Sequence, residues 1–311
     1  MKRRTFIVSS SVGLISLSGC LWFGGDDETA LEYFNESLQY ISTIDEGMYE
    51  YSESDFISGF DGMSNADFRR EITEAETAIE NAENHATSDF APYIENIHII
   101  IRYQQSLIDV HNEINLLVEE LDELFERFSD DSNFQLESIA QNTTIHAENI
   151  FDSHGEAIDI QNNISNEYPN DSEFANDDFH FPVFFDDSFT QKLYNVTTAI
   201  TYIATAITKA DSGLETAFLS ENFESAKEDI DDALEAINVA NEILDDDTLK
   251  VKESNVYIFG ERENSDVWCL APALQEAIRL YNDAVIEFER GNEQEAEELV
   301  EEAGEISNGC N

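Results

Sequence analysis

The sequence predicts an all-α protein of antiparallel helical hairpins, forming a bundle or a short irregular solenoid. Three observations carry that expectation. Apolar residues recur at helical spacing along most of the chain after residue 28. The longest periodic stretch holds a heptad pattern, with Ile100, Leu107, Ile114, Leu121 and Phe128 every seven residues and Tyr103, Val110, Leu117 and Leu124 three further on. Short polar or glycine-containing segments break the periodic stretches where antiparallel neighbours need to turn.

The first helix is expected from about Glu28 to Tyr51, with Leu31, Phe34, Leu38 and Ile41 on one face. Residues 52–64 hold Gly59 and Gly62 and read as a loop, after which Ser64 or Asn65 caps a second helix ending near His85. Ser88-Asp89 with Pro92 in the first turn marks the start of the heptad helix. The polar stretch 129–133 turns the chain into a partner helix over about 134–166. Its seam, Leu136, Thr143, Ile150, Ala157 and Ile164 with Ile139, His146, Ser153 and Ile160, is wetter. Periodicity fails over 167–188, where Pro169, Pro182, Phe179, Phe181, Phe184 and Phe185 make an aromatic crossover, with His180 at its centre. Buried aromatic packing between two helical units is the plainer role for it. Helices resume over about 189–219 and 222–244. Residues 245–266 form a second irregular insert with a small β-hairpin expected near 249–259. A last pair is expected over about 271–290 and 292–307.

Composition limits the partners. The chain has 68 acidic and 15 basic residues, a formal net charge of −53, while 41% of its residues are hydrophobic. Such charge repels nucleic acid and works against any compact state in dilute buffer. Multimolar salt, with a screening length of only about 3 Å at 1 M, relieves that repulsion. The acid runs, such as Asp245-Asp246-Asp247, lack the alternating ligands and central glycine of a calcium loop. They read as a hydrated surface.

The first twenty residues carry three cations, Lys2, Arg3 and Arg4, ahead of an apolar run that is too short and too serine-rich to span a bilayer. Arg3-Arg4-x-Phe6 followed by apolar residues resembles a twin-arginine export signal, and Leu17-Ser18-Gly19-Cys20 resembles a lipobox. Together with the acidic body, these motifs resemble haloarchaeal secreted lipoproteins. The resemblance implies cleavage before Cys20, a lipid on the Cys20 side chain and tethering at the extracytoplasmic face of the cell membrane. Cleavage removes three cations and no acids, shifting the net charge from −53 to −56. It also divides the chain into a signal peptide (1–19), a lipid-anchored tether (20–27), an N-terminal helical region with the long hairpin (28–166), the crossover (167–188) and a C-terminal helical region (189–311). With Cys20 lipidated in an oxidising compartment, Cys269 and Cys310 remain as a disulfide pair. They flank the last helix pair, and a bond there closes a loop of roughly forty residues, worth about 3 to 4 kcal/mol by loop-closure entropy.

A weak internal repeat pairs Phe218, Asn222, Ala226, Ile230 and Ala233 with Phe288, Asn292, Ala296, Val300 and Ala303, and Ala75, Ile79 and Ala82 echo its last three positions. Gly291-Asn292 with Ala296 and Ala303, and Asn222-Phe223 with Ala226 and Ala233, resemble tetratricopeptide half-repeats. Glu287 and Asp283 depart from that family's pattern, and no 34-residue period runs through the chain. Ordinary alanine-rich helix packing accounts for the same residues.

Candidate sites are few. Folding the long hairpin back about residue 131 brings His111, His146 and His154 to one level, near Asp109, Glu113 and Glu148, a set suited to a transition metal. Satisfied, partly exposed histidines beside the seam are the plainer reading. Glu95-x-x-His98 has the spacing of di-iron bundles but occurs once, where two are needed. Asn170, Asn35 and Asn195 head the sequons available for glycosylation outside the membrane. No nucleophile elbow, zinc-protease, P-loop or dinucleotide motif is present. The expectation is a lipid-anchored protein that holds a protein partner in a groove between hairpins. The alternative is a lipoprotein that binds a metal or small solute at the histidines or the crossover.

Overall fold

A computed structural model describes residues 25–52, 64–129, 135–165, 169, 172, 187–245 and 261–307. The described residues form eight α-helices and no strand. They are α1 (Gly25–Ser52), α2 (Asn65–His85), α3 (Ala91–Ser129), α4 (Leu136–Gln161), α5 (Asp187–Ser220), α6 (Phe223–Leu244), α7 (Glu261–Glu289) and α8 (Glu293–Ser307). No helix among them is long and apolar enough to cross a membrane. The small β-hairpin expected near 249–259 and most of the aromatic crossover lie outside the described residues.

The helix boundaries follow local chemistry. Ser64 caps α2: its Oγ accepts from the Asp67 N–H at 3.2 Å and donates to the Asp67 carboxylate at 2.7 Å. That bond, first among its causes, holds the Asp67 carboxyl below its ordinary range. The α5–α6 and α7–α8 turns both contain a left-handed residue. Gly291 is left-handed (φ +81°), the Asn292 N–H returns to the Glu287 carbonyl at 2.9 Å and the Gly291 N–H to the Phe288 carbonyl at 2.9 Å, which is a Schellman closure. At the equivalent position seventy residues earlier, Glu221 is left-handed at φ 51°, ahead of the α6 cap Asn222. Phe218 and Phe223 both stack on Phe288, with centroids 4.5 and 5.9 Å apart, so the two turns are packed together.

Three expected boundaries shift. Helix α1 begins at Gly25, within the expected 20–27 tether. Helix α4 stops at Gln161 rather than near Asn166, because the buried Asn96 carboxamide of α3 captures the next stretch of backbone. Its Nδ2 donates to the Ser165 carbonyl and its Oδ1 accepts from the Ser165 N–H, both at 2.7 Å. Helix α7 begins at Glu261, ten residues before the expected start, and runs through Pro272. Proline there removes one helical hydrogen bond, a loss the packed helix tolerates.

Each helix packs on its predecessor and its successor, and the chain stacks as four hairpins, α1–α2, α3–α4, α5–α6 and α7–α8. Helix α1 also touches α3, and α5 touches α7. One apolar cluster runs from Ala30 of α1 to Val285 of α7 and crosses from α4 to α5, so the N- and C-terminal helical regions share a core. That joint is polar at its edge: the hydroxyls of Thr144 and Thr201 lie 2.8 Å apart, and Thr201 donates to the Ala140 carbonyl at 2.7 Å. The heptad positions of α3 from Ile100 to Leu124 are buried as expected. In α4 a third column, Ala140, Ala147 and His154, is buried beside Leu136, Thr143, Ile150 and Ala157. A two-position seam fits one partner helix, whereas α4 packs against both α3 and α5.

The contact pattern reveals a duplication that the seventy-residue repeat does not describe. In α2, Ile72, Ala75, Ala78, Ile79 and Ala82 are buried; in α6, 158 positions later, Ile230, Ala233, Ala236, Ile237 and Ala240 are buried at the same spacing. Along α3 the buried Phe90, Ile94, Ile97, Ile101 and Ile108 match, 177 positions later, the buried Val267, Ala271, Leu274, Ile278 and Val285 of α7. Helices α1–α3 and α5–α7 are therefore two versions of one three-helix layer. The change in offset places the extra residues of the second version in the α6–α7 connection.

Two substitutions test the packing. A Cβ on the buried Gly213 of α5 would lie 2.8 Å from Ile230 Cγ1 and 3.0 Å from the Ala226 carbonyl oxygen, so Gly213→Ala is expected to lower stability by about 1 to 3 kcal/mol. Glu221→Gly removes a left-handed non-glycine residue, and a gain of about 0.5 to 1 kcal/mol is expected. Thermal melts followed by circular dichroism read both; opposite signs are the expected result.

Candidate functional site

The histidines come first because the sequence singles them out. The fold-back about residue 131 is correct: His146 Nδ1 lies 2.8 Å from Glu113 Oε2, and Asn142 Nδ2 reaches Glu120 Oε1 at 3.3 Å. His111, however, faces the other way. Positions 111 and 113 are about 200° apart around a helix, so while Glu113 meets α4, His111 meets α2. There its Nδ1 lies 2.5 Å from the Asn65 carboxamide oxygen, and its ring stands edge-on to Phe68 at 5.8 Å. The Asn115 carboxamide nitrogen lies 3.4 Å from the same ring nitrogen. His154 is buried in α4. No three histidine, cysteine or acidic side chains among the described residues are grouped to hold a metal ion. The expected metal set is therefore two separate structural contacts and a buried ring. The lone Glu95-x-x-His98 lies elsewhere, on the wall of a cleft.

Other sequence-marked residues are placed as follows. Cys20, Arg3, Arg4, Leu17, Gly19, Cys310, Asn170 and His180 lie outside the described residues. Cys269 is exposed on α7, inside the helix rather than before it. Asn35 sits mid-α1, where its Oδ1 accepts from Ser172 Oγ at 2.8 Å, and the sequon's Ser37 is fully buried, its hydroxyl donating to the Ala75 carbonyl at 3.0 Å. Asn195 lies within α5, accepting from Gln191 at 3.1 Å.

Sequence reasoning missed a polar niche between α1 and α3. Gln104, buried in α3, donates to the Ile41 carbonyl at 3.0 Å. Nearby, burial foremost and Glu46 second push the Asp45 carboxyl up to about 7. Burial, then the Asp45 charge, also raises the Tyr103 hydroxyl. Asp45 carries no motif, and only the approach of α3 desolvates it.

It missed two clefts as well, both between consecutive hairpins. The first, about 410 Å³, lies between α2 and α3 and is lined by Glu83, Ala86, Ala91, Glu95, His98 and Arg102, among others. The second, about 570 Å³, lies between α6 and α7 and is lined by Asn238, Asn241, Glu242, Trp268, Pro272 and Gln275, with Leu244 and Asp245. The duplication relates them. Glu83, Ala86 and Thr87 correspond to Asn241, Leu244 and Asp245, and Ala91, Glu95 and His98 correspond to Trp268, Pro272 and Gln275. The signal that could have found them is the repeated Ile-x-x-Ala-x-x-Ala-Ile-x-x-Ala spacing of α2 and α6. No family model, no curated protein and no solved structure matches the chain.

Asp45 and His111 act oppositely on stability as pH changes. Asp45 is harder to ionise folded than unfolded, so its penalty is present above pH 7 and fades as pH falls toward the ordinary carboxylate value. Burial lowers the His111 pKa, so acidification below the ordinary histidine value of about 6.5 costs stability. Asp45→Asn isolates the first effect, since His111 is common to both proteins. The variant is expected to be more stable than the parent at pH 8, with the advantage shrinking by about 1 to 2 kcal/mol by pH 5. Paired melts at the two pH values check it.

Proposed function

We propose that the chain is a lipid-anchored protein on the extracytoplasmic face of the membrane that holds partners in the clefts between its hairpins, without catalysing a reaction. One observation carries the binding part: the same opening occurs at the same place in both versions of the three-helix layer, between α2 and α3 and between α6 and α7. Buried isoleucine and alanine columns fix the walls, while polar residues line the openings. The anchor rests on Arg3-Arg4 and on Leu17 through Cys20, and the body it would tether begins helical structure at Gly25, a few residues on.

A Cys269–Cys310 disulfide belongs to the same proposal. Helix α8 packs back along α7, which supports a bond between Cys269 of α7 and the cysteine that follows α8 in the sequence. The surface suits concentrated salt. Pairs such as Lys227–Glu289 and Lys209 with Asp229 and Asp232 tie down only some of the 68 acids, and screening by salt replaces the missing cations.

The test has two arms on intact cells. Cys20→Ala is expected to move the protein from the membrane fraction to the medium; retention at the membrane would sink the anchor. Photo-crosslinking residues placed at Glu95 and Glu242 are expected to give discrete adducts that one at Glu298, on exposed α8, does not. Equal labelling from all three positions, or none from either cleft, would sink the binding role.

A further inference from the structure

We infer that the α6–α7 cleft is a saccharide-binding site. This deepens the proposed cleft function by naming the ligand class, and it is independent of the anchor. The two clefts share a frame but differ in what lines it. Where the first has Ala91, the second has Trp268; where the first has Glu83 and His98, the second has Asn241 and Gln275; and Asn238 stands one turn before Asn241, at the register where α2 carries Glu80. In a chain whose surface is dominated by carboxylates, three carboxamides converging on one opening depart from the background.

Those residue types suit vicinal hydroxyls. A carboxamide donates from nitrogen and accepts at oxygen, matching hydroxyls that do both. Gln275 Nε2 donates to Asn238 Oδ1, which fixes both side chains and turns the Gln275 oxygen and Asn238 nitrogen to other partners. Asn241 Nδ2 donates to the Ala271 carbonyl at 3.4 Å, leaving its oxygen as an acceptor. The Trp268 Nε1–H donates to the Leu244 carbonyl at 3.2 Å, so the indole is held by its polar edge as it lines the cleft. An indole face is a platform for the apolar face of a pyranose ring. Pro272, lacking an N–H, leaves the Trp268 carbonyl without its helical donor beside the same opening. Glu242 and Asp245 exclude anions from the cleft. Two carboxylates alone do not make a metal site, and no three histidine, cysteine or acidic side chains among the described residues are grouped to hold an ion. A volume of about 570 Å³ accommodates a di- or trisaccharide.

Trp22 and Trp268 are the chain's two tryptophans, so Trp22→Phe leaves Trp268 as the sole tryptophan, read by exciting at the red edge where tyrosine does not absorb. That protein, in its purification salt, is titrated with cellobiose, chitobiose and maltotriose, with tetramethylammonium as the cationic control. A saturable change in Trp268 emission with at least one sugar is expected. Gln275→Ala and Asn238→Ala should each weaken it by about fivefold to tenfold, with helical circular dichroism unchanged. Calorimetry on Trp268→Leu should show binding abolished. Saturation by no sugar, full binding by both carboxamide variants, or saturation by tetramethylammonium alone overturns the saccharide assignment. None of these outcomes alters the crosslinks from Glu95 or the fractionation of Cys20→Ala, which report on the broader proposal separately.

Discussion

Close approach of helices through small residues is the constraint on which this structure depends. A chain with a net charge of −53 turns most of each helix surface over to water, so the stripe left for packing is narrow. The interior meets this with columns of alanine, Ala75, Ala78 and Ala82 in α2 and Ala226, Ala233, Ala236 and Ala240 in α6, and with Gly213 where α5 crosses α6. Small side chains bury little area each, but they let backbones close and bring the flanking isoleucines into contact, where many weak dispersion contacts sum. The same columns set the shape of the clefts, because the walls diverge where the alanine stripe ends.

The fold was legible where periodicity alone decides burial. The heptads of α3, the Ser64 cap and the asparagines that open α6 and α8 each state their role within a few residues. Legibility failed where a second neighbour intervenes. Nothing in the local sequence of α4 says that Ala140, Ala147 and His154 meet α5. Nor does the neighbourhood of Pro272, which in isolation reads as a helix start, say that a helix already runs through it. The histidines show the same limit: the register that pairs His146 with Glu113 was readable, but the face on which His111 lies depends on α2, whose placement the heptad pattern does not encode. Asp45 is the extreme case, an ordinary acid made unusual only by what packs over it.

Polar groups in the interior do positional work. Asn96 holds both backbone groups of Ser165 and so decides where the chain leaves α4. Ser172 reaches Asn35 on α1. At the α4–α5 joint a run of threonine hydroxyls bonds to main chain and to each other. Each group has its partner at a defined distance, so a shift of one helix past another would leave hydrogen bonds unmade. The apolar stripe gives cohesion, and these contacts give register.

The duplicated layer has a consequence for how such a protein changes. Most residues that hold α2 against α3 and α6 against α7 lie on the isoleucine and alanine columns, and of the residues that line the two openings only Ile94 and Leu244 are buried in that core, the others lying beside it. The polar residues of the openings and the apolar residues of the core thus occupy, for the most part, different positions of the same helices. One copy can keep charged groups, His98 and Arg102 with Glu83 and Glu95, while the other takes up an indole and three carboxamides, with neither alteration reaching the core. Under the proposed function, a single polypeptide of this design would present two openings, one in each layer, whose linings have diverged while the isoleucine and alanine columns behind them have kept their spacing.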